Sequence, residues 1–223
     1  MAYLGAKSAS GTPQAIINVI PPHDCYIEPF LGTGAIMQRK APAQFNYGVD
    51  LNNDCIDNFP SCNLPNLKLI NGDAFSFLEN FDYAKHGRVV VYCDPPYPKE
   101  TRTSKNRYKF EFSGDDHLRL LKLAKALPCF VIVSSYESEL YAEQLADWWS
   151  FRFQAMTRGG VRTEVVWCNF NPGDIHFHTF AGTNYTDRQR IQRKAERMAK
   201  KFQAMPPMER QAVLALVLAS LNE

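Results

Sequence analysis

Val89-Val90-Val91-Tyr92-Cys93-Asp94-Pro95-Pro96-Tyr97 is the stretch on which the fold turns. Its first five residues form an apolar run of strand length, which suits a strand buried in a helix-covered sheet. Open α/β sheets bind their ligands beyond the carboxyl ends of such strands. Pro95 and Pro96 stop the ladder and fix φ, so the Asp94 carboxylate, two carbonyls and the Tyr97 ring are held with little entropy left to lose. Acceptors beside an aromatic ring suit an uncharged amino group carried by a flat ring. Taken alone, the same four letters also describe a double-proline turn closing a strand. The rest of the chain has to decide between the two.

Working outward, strand-like and helix-like segments alternate, the pattern of a doubly wound α/β sheet. Strands are expected at 26–28, 47–49, 68–70, 89–93, 130–134, 151–156 and 164–170, and helices at 13–20, 35–40, 54–59, 74–81, 115–126 and 137–149. The last two strands are joined by Thr157-Arg158-Gly159-Gly160-Val161, too short for a parallel crossover, so they form a hairpin. The expected fold is therefore a Rossmann-like, seven-stranded, mostly parallel sheet with one antiparallel strand. A catalytic domain is expected over 1–171 and a basic helical extension over 172–223. Within the extension, Thr186-Asp187-Arg188-Gln189 reads as a capping box for a helix to about Phe202, and Pro206-Pro207 opens a second helix to Leu221. That second helix is apolar around much of its circumference and must bury itself against the domain or a second subunit, so a homodimer through the C-terminal helices is one expected assembly.

Composition narrows the class. With 223 residues, 45% of them hydrophobic, the chain can bury a full core, and its net charge is only +2. The charge is uneven: Arg188, Arg190, Arg193, Lys194, Arg197, Lys200 and Lys201 cluster near the end, an asymmetry that points to nucleic acid. No apolar stretch approaches the roughly 20 residues of a membrane span, and no charged segment followed by an apolar one opens the chain. A cytoplasmic protein without a membrane partner is expected. Cys25, Cys55, Cys62, Cys93, Cys129 and Cys168 show neither a C-x-x-C pair nor a His at ligand spacing, so they read as reduced thiols and no metal site is expected.

The first strand runs into Pro29-Phe30-Leu31-Gly32-Thr33-Gly34, whose glycines let the backbone approach a ligand closely. Asp50 follows about 20 residues later at the next strand end, where a carboxylate can accept both hydroxyls of a ribose. Asp73 ends the third strand, placed to bond an adenine amino group while Ala74 lies against the ring. The third glycine of a dinucleotide loop is missing, as is a phosphate-loop Lys, and Glu28 would repel a pyrophosphate. An acidic lining suits a cofactor that has a cationic part and no phosphates. S-adenosylmethionine, with its ammonium and sulfonium groups, fits.

On these residues the chain resembles the D12 class of adenine-N6 DNA methyltransferases, the Dam-like enzymes, and particularly their compact phage-type members. The likeness runs from Tyr3-Leu4-Gly5-Ala6-Lys7 through 26–34, Val49-Asp50-Leu51-Asn52, Gly72-Asp73 and Tyr92–Tyr97 to Thr101-Arg102, Tyr108, His117, 134–138 and 162–167. The resemblance implies a bacterial or phage-encoded enzyme. It also implies a role for each motif: Tyr3 and Lys7 over the methionine part of the cofactor, Glu28, Pro29, Phe30, Gly32 and Gly34 at its sulfonium end, Asp50 and Leu51 at the ribose, and Asp73 and Ala74 at the adenine. Asp94, Pro95, Pro96 and Tyr97 would hold the target base, leaving S-adenosylhomocysteine as the product, with no metal.

The implied chemistry is coherent. The lone pair of an exocyclic amine is delocalised into its ring, and acceptors at Asp94 and the Pro95 carbonyl favour a pyramidal nitrogen that can point at the methyl group. An adenine inside duplex DNA cannot reach such a pocket, so the base must be flipped out. Lys99, Arg102, Lys105, Arg107 and Lys109, interleaved with Tyr108, Phe110 and Phe112, suit phosphates and unstacked bases, and Arg158 and Arg162 flank the hairpin turn nearby. Larger family members insert a target-recognition domain between the second and third motifs. The short interval from Asp50 to Asp73 holds no such domain, so base reading falls to the basic loop, the hairpin, the C-terminal helices or a second subunit. Two alternatives stay open: methylation of an exocyclic amine on an RNA base, and a noncatalytic nucleic-acid-binding regulator on the same scaffold.

Overall fold

The computed structural model describes residues 7, 11–60, 62–98, 101, 109–157, 160–172 and 185–219. The chain divides into two compact units, residues 1–178 and 179–223. In the first unit, α1 (Thr12–Ile17) precedes β1 (Cys25–Glu28), β2 (Phe45–Asp50), α2 (Asn53–Asp57), β3 (Leu67–Asn71), α3 (Ala74–Asn80), a 3-10 turn at Tyr83–His86 and β4 (Val89–Cys93). Then come α4 (Gly114–Ala126), β5 (Phe130–Tyr136), α5 (Glu139–Gln144), β6 (Trp149–Thr157) and β7 (Gly160–Cys168). The second unit holds α6 (Tyr185–Gln203) and α7 (Pro207–Ala219).

The strands form one seven-stranded sheet in the order β3-β2-β1-β4-β5-β7-β6. β3, β2, β1, β4 and β5 are mutually parallel, while β7 runs antiparallel to both β5 and β6. This is the expected Rossmann-like sheet with its single antiparallel strand. The chain order reverses between β1 and β4, the switch point at which open sheets leave a crevice for ligands. The run 89–93 is the central strand, buried at every position and packed with Ile27, Val131, Val133, Leu120 and Leu121. Burial of each such aliphatic side chain contributes about 1.5–3 kcal/mol, which is why this run anchors the sheet.

Two expected helices are corrected. Residues 35–40 form successive turns: the amides of Gln38 and Lys40 reach back four residues to Gly34 and Ile36, but those of Gly34 and Arg39 reach back only three. Seven residues between a glycine at φ 62° and Pro42 are too few for a cooperative helical ladder, and Pro42 biases Ala41 away from helix. The helix expected over 137–149 is only Glu139–Gln144, capped by Ser138, whose side chain accepts from the Tyr141 amide at 3.4 Å. Trp149 has left it to pair with Cys168 in β6, where Trp149, Phe151 and Phe153 line one face. At the other end, α6 begins at Tyr185, so Thr186 lies inside its first turn and does not cap it.

Candidate active site

Because β1 to β5 are parallel, their carboxyl ends share one edge of the sheet, and β7, running the other way, brings its early residues back to it. The register places Glu164 of β7 opposite Tyr136 of β5. Read across the sheet, this edge carries Asp73, Asp50, Glu28, Asp94, Tyr136 and Glu164. The switch point separates Glu28 from Asp94.

On the side of β1 to β3, Gly32 and Gly34 adopt φ 52° and 62°, which L side chains rarely take. A Cβ on Gly34 would also overlap the Phe59 ring. The tight turn sends the Gly32 amide to Oδ2 of Asp50 at 2.8 Å, while Oδ1 accepts from the Asn52 amide at 2.8 Å. Asp50 is thus fixed by two backbone donors, and a carboxylate's remaining lone pairs can still accept hydroxyls. Asp73 caps α3, accepting from the Ser76 amide at 2.8 Å, with Ala74 buried behind it. Leu51 is half exposed, and Pro29 is buried. Phe30 meets Phe112 edge-on at 5.6 Å, and Phe112 stacks on Phe75 at 5.8 Å. Lys109, at the end of the basic loop, donates to Oδ1 of Asn52 at 3.0 Å and lies 3.4 Å from Asp54, so the loop returns beside the β2 end.

Glu28 is buried. Tyr26 donates its hydroxyl to Oε1 at 2.9 Å, and the Met37 backbone also bonds the carboxyl. Burial pushes the pKa of Glu28 up to about 8. Beside it Lys40, also buried, sits 4.1 Å over the Tyr26 ring, donates to the Ala41 carbonyl at 2.8 Å and lies 3.1 Å from Nε2 of His23. Burial brings Lys40 down to about 7, against the pull of Glu28.

On the side of β4, β5 and β7, Oδ1 of Asp94 accepts from Lys7 Nζ at 2.8 Å and from Ser134 Oγ at 3.2 Å, and Ser134 is bonded in turn to the Tyr92 hydroxyl at 2.9 Å. Pro95 is buried and Pro96 half-buried. Tyr97 is buried, its ring edge-on to Tyr136 at 4.4 Å and its hydroxyl accepting from Lys7. Lys7 Nζ also lies 4.5 Å from the Tyr97 ring centre and 3.6 Å from Oε2 of Glu164. Burial raises the pKa of Glu164, with Lys7 pulling the other way and Asp94 adding to the rise.

The structure therefore gathers Lys7, Asp94 and Tyr97 into one cluster and Gly32 and Asp50 into another. Arg162 is half-buried on β7. Tyr3, Lys99, Arg102, Lys105, Arg107, Tyr108 and Arg158 lie outside the described residues. Ser134, Tyr136 and Glu164 fall in the motifs at 134–138 and 162–167, to which the resemblance attaches no role. A signal existed: Glu164 is the charged residue that opens an apolar run, Val165-Val166-Trp167, on a strand returning to the ligand edge. Among the described residues no group of His, Cys, Asp and Glu side chains could hold a metal ion, and no helix is long and apolar enough to cross a membrane.

Residues 60–163 match a family model. The matching family is described as D12 class N6 adenine-specific DNA methyltransferase, the one the motifs resemble. The match takes in Asp73, Asp94–Tyr97 and Arg162. No curated protein matches the chain. Among solved structures, magnesium protoporphyrin IX methyltransferase from Synechocystis PCC 6803, with bound SAM, is 14% identical over 75% of this chain and 81% of its own, with a TM-score of 0.44. The Mtq2-Trm112 complex of E. cuniculi is 13% identical over 69% of this chain and 92% of its own, at 0.42. A dimethyladenosine transferase from Plasmodium falciparum is 12% identical over 70% and 59%, at 0.39.

Proposed function

We propose that the protein transfers the methyl group of S-adenosylmethionine to N6 of an adenine flipped out of duplex DNA. The observation that carries this reading is the seat of Asp94. Its carboxylate stands at the switch point on a proline-stiffened strand end, with Oδ1 held by two donors and Oδ2 without a partner among the described residues. An amino group that donates to Oδ2 and to the Pro95 carbonyl has its lone pair turned out of conjugation. The cofactor supplies an electrophilic methyl group on a sulfonium. The residues present fit it: Asp50 is fixed for a ribose, Asp73 and Ala74 for an adenine, and Gly32 and Gly34 leave room for close approach. Tyr3 belongs to this side in the same reading.

DNA contacts are assigned to Lys99, Arg102, Lys105, Arg107, Tyr108, Arg158 and Arg162, with the exposed cations of α6 adding nonspecific attraction for phosphates. On α7, Met208, Leu214, Leu216 and Val217 are exposed around the helix, an apolar surface suited to a second copy of the chain. The test is label transfer from tritiated S-adenosylmethionine to duplex DNA, RNA and protein, comparing wild type with Asp94→Ala. Label recovered as N6-methyladenine in DNA, and reduced about a hundredfold or more in the variant, is the expected result. Label confined to RNA, or to no acceptor, sinks the reading.

A further inference from the structure

We infer that Glu164 is a positioning residue for methyl transfer: through Lys7 it fixes the Asp94 carboxylate by Oδ1 and leaves Oδ2 to accept the N–H of the incoming amine. The inference deepens the reading of the site proposed above and rests on it.

Three charged groups meet where β4, β5 and β7 end. Lys7 Nζ stands 2.8 Å from Asp94 and 3.6 Å from Glu164, and the Lys7 and Glu164 side chains are each only 6% exposed. Two carboxylates facing one ammonium, that of Glu164 almost wholly buried, repel each other, and burying either without a partner is costly. One ammonium between them relieves both. The amine of an adenine is neutral and cannot replace that charge, so Lys7 must remain on Oδ1 while the base is bound. Ser134 reaches the same oxygen at 3.2 Å. With an ammonium and a hydroxyl on one oxygen, the carboxylate cannot rotate freely, and its second oxygen offers its lone pairs in a fixed direction.

In this role Glu164 touches neither base nor cofactor. It acts by holding Lys7 in place; the other groups around it are Tyr97 on the strand end after β4, which bonds Glu164, and Tyr136 on β5, which interacts with Glu164, Lys7 and Arg162 of β7.

The test uses the full chain with lysine labelled at Cε, so that the Lys7 ammonium is followed by NMR across pH, in wild type and Glu164→Gln. Loss of one carboxylate is expected to lower the Lys7 titration midpoint. In the same variant kcat on duplex DNA is expected to fall about tenfold or more, with S-adenosylmethionine affinity unchanged. Glu164→Asp should recover part of the rate. Glu164→Met, neutral and apolar, should behave like Glu164→Gln and serves if the amide variant is poorly folded. An unchanged Lys7 titration overturns the inference, and so does a variant as fast as wild type when wild type is active. If wild type methylates no acceptor, the functional reading falls and this inference falls with it.

Discussion

Glu28 sits on an edge that the motifs assign to a cationic cofactor, yet the folded chain buries it beside Tyr26 and Lys40. Its ordinary pKa near 4.5 rises to about 8 because burial disfavours the anion. Between pH 4.5 and about 8 the folded state therefore keeps a proton that the unfolded chain has released, and stability falls as pH rises through this window. Lys40, lowered from 10.5 to about 7, has the opposite sign: stability recovers as pH climbs between those values. Melting temperatures of wild type and Glu28→Gln across this range make the check. The wild type should lose stability toward pH 8 more steeply than the variant, and parallel curves would contradict the assignment. At this scale Asp94 to Tyr97 were legible because the whole signal lies in four adjacent letters. The contact of Lys7 with Asp94 joins residues 87 apart in the chain, and no local pattern announces it.

Elements were legible in proportion to how far their own sequence decided them. β4 was found residue for residue, since five consecutive apolar residues that start after Gly87-Arg88 and stop at Asp94-Pro95-Pro96 admit little else. The hairpin followed from a connection too short to cross over, and its register, Thr157 opposite Gly160, bears that out. Short helices fared worse. Residues 35–40 have helical letters, but their geometry answers to the turn at Gly34 and to Pro42, and residues from Trp149 onward answer to a partner strand that periodicity cannot see. The turn at Gly34 yields a prediction of its own. Its φ of 62° and the Phe59 ring beside it leave no room for a methyl group. Gly34→Ala should cost about 1–3 kcal/mol, read from urea unfolding midpoints, and should weaken S-adenosylmethionine binding because the Gly32 amide is set by the same turn. A variant with wild-type stability would show that the loop can shift at no cost.

At the scale of the whole molecule the chain is two units with different charge. The sheet unit carries the acidic ligand edge, while α6 holds Arg193, Lys194, Arg197, Lys200 and Lys201 exposed over residues 185–203. A near-neutral total hides this division, and only the position of the charges along the chain revealed it. If α6 meets the duplex DNA proposed as substrate, its cations displace counterions, and affinity must depend on salt accordingly. Each phosphate contact adds about 0.9 to the slope of log K against log salt on duplex DNA. Replacing Arg193, Lys194 and Arg197 with Ala in the full chain should flatten that slope by about one to three and weaken binding on every duplex sequence alike. The pattern of methylated sites should stay as it is, because phosphate contacts position without reading bases. Fluorescence anisotropy across a salt series, run beside a methylation map, separates the outcomes. A changed site pattern would make α6 a reader of bases, and an unchanged slope would remove it from the DNA interface.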